Sequence, residues 1–430
     1  MRGAGFATLA GVAEMSVSPY WELTFDAEGD VNPAQRRRLT EQAAGRGITD
    51  LVVFAHGWNN DRSIASRMYS RFFAPFPGLV GDGVRLGFAG VVWPSMRFTD
   101  EPVPDFEPSV AAGQPPPWFG PVTQRVVGAQ FPGRDRAVER IGELLAERPD
   151  DAEHPAEFLR LVRHLITPAP GSAAAAFGAD TDDERAADVP LMLEQDPRTL
   201  FEEFAEVQDP PGLLWDGGKE ILRQATYYAM KRRAGVVGER GLGPALGRLA
   251  KEAPRTRVHL VGHSFGARLV SFAVKGLPAG VTAVGSVTLL QGAFSHYAFS
   301  DRLPHDKDRG GALRGVQRRV RGPVVASYSS HDGALRTFYP LASRMARDSA
   351  GLLPGGERWV ALGYDGFRAV PGGRRLTLAD ALDGAFPAKG CVSVDSSAVV
   401  CHGGGATGAH NDVCHPELAR LVLRAGRVGA

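Results

Sequence analysis

The chain has 430 residues and a formal net charge of +1, and 43% of its residues are hydrophobic against 23% charged. This composition is ordinary for a globular protein and excludes the disordered and fibrous classes. The charge is unevenly spread, because residues 101–216 hold 9 arginines and 23 acidic residues while the remainder of the chain is basic. No continuous basic face or motif mixing aromatic and basic residues appears, so we expect no nucleic-acid partner.

Features of the chain that bear on its location and on metals are few. Residues 1–15 contain one arginine and a weak apolar run without a cleavage site, so we expect no secretory signal and a cytoplasmic location. No window of 18 apolar residues occurs, which predicts no membrane span. Cys391, Cys401 and Cys414 lack zinc-ligand spacing; we expect free thiols, with a Cys391–Cys401 disulfide as the alternative. We expect neither a metal nor a cofactor.

Strand-like and helix-like segments alternate from residue 20 to residue 93. Short apolar runs stand in "YWELTF", "TDLVVFAHGW" and "RLGFAGVVWP", and the segments between them, "PAQRRRLTEQAAGRG" and "DRSIASRMYSRFF", have helical spacing. Such alternation is typical of crossover units in a sheet whose faces are both covered by helices. The sequence therefore predicts an α/β fold with a mostly parallel central sheet.

This alternation stops after residue 100. Seven prolines fall within residues 101–121, which predicts an extended connection, and three helix-like segments follow, "RDRAVERIGELLAERP", "PAEFLRLVRHLI" and "RTLFEEFAEV". We interpret residues 101–220 as an acidic, Pro-rich and largely helical insertion, a candidate cap or lid, between two parts of one core, residues 1–100 and 221–430.

The strand pattern resumes with "RVHLVGHSFG" and continues through "VTAVGSVTLLQGA", "PVVASYSS" and "GCVSVDSS" to a terminal helix, "PELARLVLRA". Residues 262–266, Gly-His-Ser-Phe-Gly, fit the pattern G-x-S-x-G. An apolar strand precedes this turn and an amphipathic helix follows it, as a nucleophile elbow requires. Glycines on both sides allow a strained serine to project above the carboxyl edge of the sheet, where the first N–H groups of the helix attract negative charge.

With this motif in its strand-turn-helix setting, the chain resembles the α/β-hydrolase superfamily, specifically its serine esterase and lipase-like members, over about residues 20–100 and 220–425. The resemblance implies an α/β-hydrolase fold with Ser264 as nucleophile, followed along the chain by an acid and then a histidine. His410, in the late loop "GAHND", is our candidate base, with His402 as the alternative. His415 we assign to capping or packing.

The candidate acid is Asp332, just past the strand "PVVASYS", at the strand end where the superfamily carries it. Asp395 is the competitor, but we place it within the last strand, from which it would not reach the loops. Asp412 is predicted to cap the turn into the terminal helix.

The stretch "FAHGWNND", residues 54–61, resembles the superfamily's HG-x oxyanion loop. Gly57 would let the backbone approach the substrate, and the N–H groups of Trp58 and Phe265 would bind the oxyanion. We also assign Gly57, His263 and Trp93 to substrate binding. The structural alternative is that His56 and Trp58 only pack and that residues 59–61 cap the next helix.

Together these features predict a serine hydrolase that cleaves a carboxylic ester, or a related acyl bond of a small molecule, through an acyl-enzyme. An acyltransferase or a cofactor-free perhydrolase would use the same residues, and a non-catalytic binding protein on a hydrolase fold is a further alternative. The motifs H-E-x-x-H and G-x-x-x-x-G-K-[ST] are absent, and no G-x-G-x-x-G follows the first strand. The sequence leaves substrate identity and oligomeric state open.

Overall fold

The structure is a computed structural model. It describes residues 15–98, 119–168, 173–183, 193, 195–206, 213–338, 360–403 and 408–429. Most of the proline-rich stretch and residues 1–14 thus lie outside the described residues. Eight strands are present in the described part: β1 (Tyr20–Thr24), β2 (Asp50–Ala55), β3 (Leu86–Val92), β4 (Arg257–His263), β5 (Val284–Leu290), β6 (Pro323–Tyr328), β7 (Arg374–Thr377) and β8 (Gly390–Asp395).

Helices connect these strands and extend the region between β3 and β4. In chain order they are α1 (Pro33–Gly45), α2 (Arg62–Phe73), α3 (Pro121–Gln130), α4 (Asp135–Glu147), α5 (Glu153–Ile166), α6 (Pro197–Glu206), α7 (Leu214–Val236), α8 (Gly243–Glu252), α9 (Phe265–Lys275), the single turn α10 (Leu362–Asp365), α11 (Leu378–Asp383) and α12 (Pro416–Gly426). A π-helical segment, Val237–Leu242, joins α7 to α8.

The strands form one sheet in the order β1-β3-β2-β4-β5-β6-β8-β7, and every adjacent pair is parallel. The predicted α/β class with helices flanking a parallel sheet is confirmed. Since parallel strands all end at the same edge, the loops that follow them are brought together there.

Alternate side chains of the strands enter two apolar layers, one on each face of the sheet. In β2, Leu51, Val53 and Ala55 join one cluster while Val52 and Phe54 join the other. The first cluster also contains buried side chains of α4, α5, α6 and α7, and the second lies under α2 and α12. Apolar residues of the predicted insertion therefore pack in the same cluster as one face of the sheet.

Two features differ from the sequence-based expectation. Strand β7 was not predicted, since its four residues, Arg-Arg-Leu-Thr, are mostly exposed and carry no apolar run. Helix α7 crosses the boundary that we predicted between residues 220 and 221. The boundaries of the insertion as a domain remain a prediction.

Within the described residues, no helix combines the length and apolar character that crossing a bilayer requires.

Candidate active site

The strand order predicts a crevice at the carboxyl edge of the sheet between β2 and β4. The chain leaves β2 toward β3 on one side and leaves β4 toward β5 on the other, so the two loops diverge. Ala55 is paired with Gly262 in the sheet, which brings Gly57 next to Ser264 two residues beyond. A Cβ atom on Gly57 would lie 2.7 Å from the Ser264 Cβ and 3.2 Å from its Oγ. The glycine is thus what lets the two loops touch.

Ser264 occupies a turn with φ 57° and ψ −120°, between the last residue of β4 and the first residue of α9. A positive φ is costly for a residue with a side chain, and here it is imposed by close backbone packing. A Cβ on Gly262 would lie 2.3 Å from the carbonyl oxygen of Gly266, and one on Gly266 would lie 1.9 Å from that of Ala55. The glycine spacing of the motif thus follows from two backbone contacts.

Three side chains from distant parts of the chain form a hydrogen-bonded series. His410 Nε2 lies 3.0 Å from Ser264 Oγ, and His410 Nδ1 lies 2.7 Å from Asp332 Oδ2. Because a carboxylate only accepts, Nδ1 carries the proton and Nε2 is left to accept from the serine. The Asp332 side chain is fully buried and that of His410 is 13% exposed, so the series runs from the interior to the crevice.

Backbone contacts hold the loop of His410 against the loop of Asp332. Asp332 and Gly408 form an isolated antiparallel bridge, and the N–H of Ala409 donates to the carbonyl of His331 at 3.0 Å. Asp332 Oδ1 also accepts from the N–H of Leu335 at 2.9 Å. The carboxylate is therefore fixed on both of its oxygens.

His263, which the sequence analysis assigned to substrate binding, is buried beside Ser264. Its Nε2–H donates to the backbone carbonyl of His410 at 2.8 Å, and the two rings are 5.0 Å apart. Burial, and then the charge of His410, lower the pKa of His263 to about 3. This neutral imidazole thus holds the backbone of His410 in place.

The loop after β2 is fixed by His56, also fully buried. Its Nδ1–H donates to the carbonyl of Gly57 at 2.9 Å, and its Nε2 accepts from the N–H of Trp93 at 3.5 Å. Burial lowers the pKa of His56 to about 4. Because a trans peptide is planar, fixing the Gly57 carbonyl on one side turns the N–H of Trp58 to the other. In the described part of the chain, neither that N–H nor the N–H of Phe265 has a hydrogen-bond acceptor.

Trp93, the residue directly after β3, contacts the same loop through His56. It is buried, its indole N–H donates to the carbonyl of His56 at 2.9 Å, and its ring stacks on the imidazole at 5.7 Å. These contacts give Trp93 a packing role, and its assignment to substrate binding stays a prediction.

The structural alternative predicted that residues 59–61, the polar residues after Trp58, all cap the next helix, and the structure shows this for one of them. Only Asp61 caps α2, accepting from the N–H of Ile64 at 2.9 Å. Asn59 Oδ1 instead accepts from the N–H of Phe98, and the carbonyl of Asn60 accepts from Ser95 Oγ. The asparagines therefore join the loop after β2 to the loop after β3.

The alternative acid and base lie elsewhere. Asp395 is the last residue of β8, not a mid-strand residue as predicted, and its Oδ1 accepts from the N–H of Ser397. The His402 side chain is 81% exposed and pairs with Asp412. The prediction that Asp412 caps α12 is wrong: it accepts from the N–H groups of Cys401 and His402 and contacts the His415 ring, and α12 has no side-chain cap.

Two polar residues beside the crevice were missed by sequence reasoning. Tyr227, on α7, packs its ring 4.6 Å from Phe265 and 5.7 Å from Trp58. Gln291, directly after β5, is fully buried at a φ of 43°, and neither atom of its amide has a partner among the described residues. The sequence could have indicated Gln291, because a glutamine directly follows the apolar run of β5. No local sequence pattern distinguishes Tyr227 from the other residues of its helix.

All three cysteines are free thiols, as predicted. Among the residues that the structure describes, no group of three or more His, Cys, Asp or Glu side chains is arranged to hold a metal ion.

Fold and site together define an α/β protein whose parallel sheet carries a Ser-His-Asp series at its carboxyl edge, an arrangement compatible with an α/β-hydrolase-like fold. Comparisons with family models, curated proteins and solved structures gave no match.

Proposed function

We propose that the protein is a serine hydrolase of carboxylic esters, with Ser264 as nucleophile, His410 as general base and acid, and Asp332 as the orienting carboxylate. The observation that carries the proposal is the unbroken series of hydrogen bonds from Asp332 through His410 to Ser264, at 2.7 and 3.0 Å. A serine held at a positive φ in the motif Gly-His-Ser-Phe-Gly supports it further, because such a turn projects the hydroxyl beyond the end of the strand.

The proposed reaction begins when His410 Nε2 takes the hydroxyl proton and Ser264 Oγ attacks the substrate carbonyl carbon. The carbonyl oxygen becomes an oxyanion, and the N–H groups of Trp58 and Phe265 donate to it. One such donor contributes on the order of 3 kcal/mol to transition-state stabilisation. Asp332 stabilises the imidazolium of His410.

The imidazolium then gives its proton to the departing alcohol as the carbon–oxygen bond breaks, which leaves an acyl-enzyme on Ser264. A water molecule attacks the acyl carbon while His410 accepts its proton. When the acid leaves, the proton returns to the serine. In this scheme His56 and His263 are positioning residues, since each holds one peptide carbonyl of the site.

The decisive test is Ser264→Ala with a chromogenic short-chain ester such as p-nitrophenyl butyrate. We expect kcat to fall by about 10⁴-fold or more, since the triad acts as a unit. A fluorophosphonate probe should label the wild type and leave the variant unlabelled, and thermal unfolding of both should show that the variant is folded.

Undiminished turnover by folded Ser264→Ala would refute the assignment. Absence of labelling and turnover in the wild type would favour the non-catalytic binding protein, and transfer of the acyl group to added alcohols in preference to water would favour the acyltransferase.

A further inference from the structure

Besides His263 Nδ1 and the side-chain amide of Gln291, two buried polar atoms near Ser264 have no hydrogen-bond partner among the described residues: the indole Nε1 of Trp58 and the hydroxyl of Tyr227. The two rings meet edge to face at 5.7 Å, and the Tyr227 ring packs 4.6 Å from Phe265. Trp58 and Phe265 are the residues whose backbone N–H groups are the proposed oxyanion donors. The unpartnered atoms thus belong to the aromatic wall of the crevice.

The other described tryptophans provide a contrast. The indole N–H of Trp21 donates to Gln42, that of Trp93 to the carbonyl of His56 and that of Trp215 to the carbonyl of Pro149, each at 2.9 Å. Leaving a buried donor without a partner costs about 1–3 kcal/mol. The fold satisfies this requirement at three tryptophans in the described residues and leaves it open at the one beside Ser264.

The chemistry of the two groups determines what would satisfy them. An indole N–H only donates, so its partner must be an acceptor. Burial raises the pKa of the Tyr227 hydroxyl well above its usual value, so it keeps its proton and donates as well. Both residues are themselves partly exposed although their polar atoms are covered, so a substrate oxygen can pair with these atoms only if the rings move.

We propose that the Trp58 indole and the Tyr227 hydroxyl form a hydrogen-bonding subsite for a second oxygen acceptor of the substrate, beyond the scissile ester group. This inference rests on the proposed hydrolase function and narrows its substrate class to esters that carry a further keto, ether or ester oxygen. A plain hydrocarbon chain would leave both donors unpaired, and a site built to hydrogen-bond discriminates strongly against a substrate that lacks the matching group.

The test compares kcat/KM for isosteric pairs of esters. In the acyl arm, p-nitrophenyl 4-oxopentanoate, 5-oxohexanoate and 6-oxoheptanoate are matched with the 4-methylpentanoate, 5-methylhexanoate and 6-methylheptanoate. In the alcohol arm, acetates of keto alcohols are matched with acetates of the corresponding methyl-branched alcohols. We expect the wild type to prefer the oxo member of at least one pair by about ten-fold, the equivalent of one hydrogen bond.

Trp58→Phe and Tyr227→Phe should each lower that ratio by about three-fold, because each removes one of the two donors and keeps an aromatic ring. The ratio is compared within each variant, so a change in overall rate cancels. Trp21→Phe is the control, since it removes an indole N–H that already has a partner, Gln42 on α1, and its ratio should equal that of the wild type. The melting temperature of Tyr227→Phe should not fall, because its hydroxyl has no hydrogen-bond partner among the residues that the structure describes.

A ratio near one in both arms, or an unchanged ratio in the two variants, would overturn the subsite while leaving the hydrolase proposal intact, since the hydrocarbon esters would still be cleaved. A marked fall in the melting temperature of Tyr227→Phe would show a structural hydrogen bond and would also overturn it. Failure of the wild type to cleave any ester in either arm would instead contradict the proposed function.

Discussion

The glycines around Ser264 are required by contacts rather than by flexibility. Gly262 faces the backbone of Gly266, Gly266 faces the backbone of Ala55, and Gly57 faces Ser264 itself. Backbone atoms cannot move aside as the end of a long side chain can. Each position therefore tolerates no side chain, although only Ser264 among the residues of this turn has a positive φ.

Replacing Gly266 by Ala should destabilise the protein by about 3 kcal/mol or more, since the new Cβ would lie 1.9 Å from the Ala55 carbonyl oxygen. Turnover should fall as well, because the clash pushes β2 and its loop away from Ser264. Gly45→Ala, at the end of α1, is the matched control: nothing lies within 4 Å of its added Cβ, and its stability should stay equal or rise slightly. Urea denaturation measures both, and equal midpoints for the two variants would contradict the packing argument.

At the level of residues, the three side chains that the sequence analysis selected are in hydrogen-bonding contact. Ser264 was predicted from its motif, and Asp332 and His410 from the chain order and strand ends that the resemblance implies; their catalytic roles stay predictions. Tyr227 could not be found this way, because its contact with Phe265 joins two helices that are separated in sequence. The residues after Trp58 were uncertain for the same reason, since the partners of Asn59 and Asn60 lie on another loop.

Helices α7 and α9 are joined to the segment after residue 177 by a buried charge cluster. Asp180 accepts from Arg268 Nε on α9 at 3.0 Å and pairs with Lys231 Nζ on α7 at 2.8 Å. Arg268, fully buried, also donates to the carbonyl of Phe177 at 2.7 Å. Because Arg268 lies one turn beyond Ser264, this cluster fixes the helix that begins at the serine.

Asp180→Asn should lower the free energy of unfolding by about 3–5 kcal/mol, because two buried cations lose their carboxylate. The control is Asp301→Asn, whose carboxylate is exposed and lies 3.8 Å from Arg318, and which should change stability by less than about 0.5 kcal/mol. Chemical denaturation of both variants tests the difference. Equal stabilities would show that the buried carboxylate is not needed to balance the charges.

At the level of elements, apolar runs and helical spacing predicted seven of the eight strands in the described residues. The exception was β7. The start of α7 was also missed, since Gly217 and Gly218 suggest a break rather than a helix interior. Tertiary packing explains why glycines stand at these positions. A Cβ on Gly217 would lie 2.0 Å from the Phe201 carbonyl oxygen, so these glycines let α6 pack closely on α7.

For the whole molecule, two of the buried histidines, His56 and His263, make stability depend on pH. The pKa values of His56 and His263, lowered to about 4 and about 3 by burial, lie below the value of about 6.5 expected in the unfolded chain. Between the folded and unfolded values the unfolded chain binds more protons. Stability is therefore complete above about pH 6.5 and falls as the pH decreases through this window, by at most about 1.4 kcal/mol per pH unit for each histidine.

His263→Gln should flatten this dependence between pH 6 and pH 4.5, although its stability at neutral pH should be lower because the contact with His410 changes. His402→Gln, at an exposed imidazole, should keep the slope of the wild type. Urea denaturation at a series of pH values measures the three slopes. Parallel curves for all three proteins would indicate that His263 does not titrate in the way its burial implies.

The fold class of the whole molecule was predictable because the alternation of strands and helices is a local pattern. The order of the strands was not, since it depends on pairings between residues far apart in the chain. The site combines both cases. Each of its three residues follows the end of a strand, but only the order of the strands brings the ends of β4, β6 and β8 to the same part of the sheet, with β5 between β4 and β6.

The composition of β7 has a consequence at the border of the sheet. In the described part of the chain, this outermost strand pairs with β8 alone, and a strand with a free side can recruit strands from other chains. Arg374 and Arg375, both exposed, place positive charge there. Because of these two arginines, β7 has no apolar run and was not predicted from the sequence. The same charges disfavour β-pairing with another chain, so this strand, which contributes little to the core, should reduce aggregation.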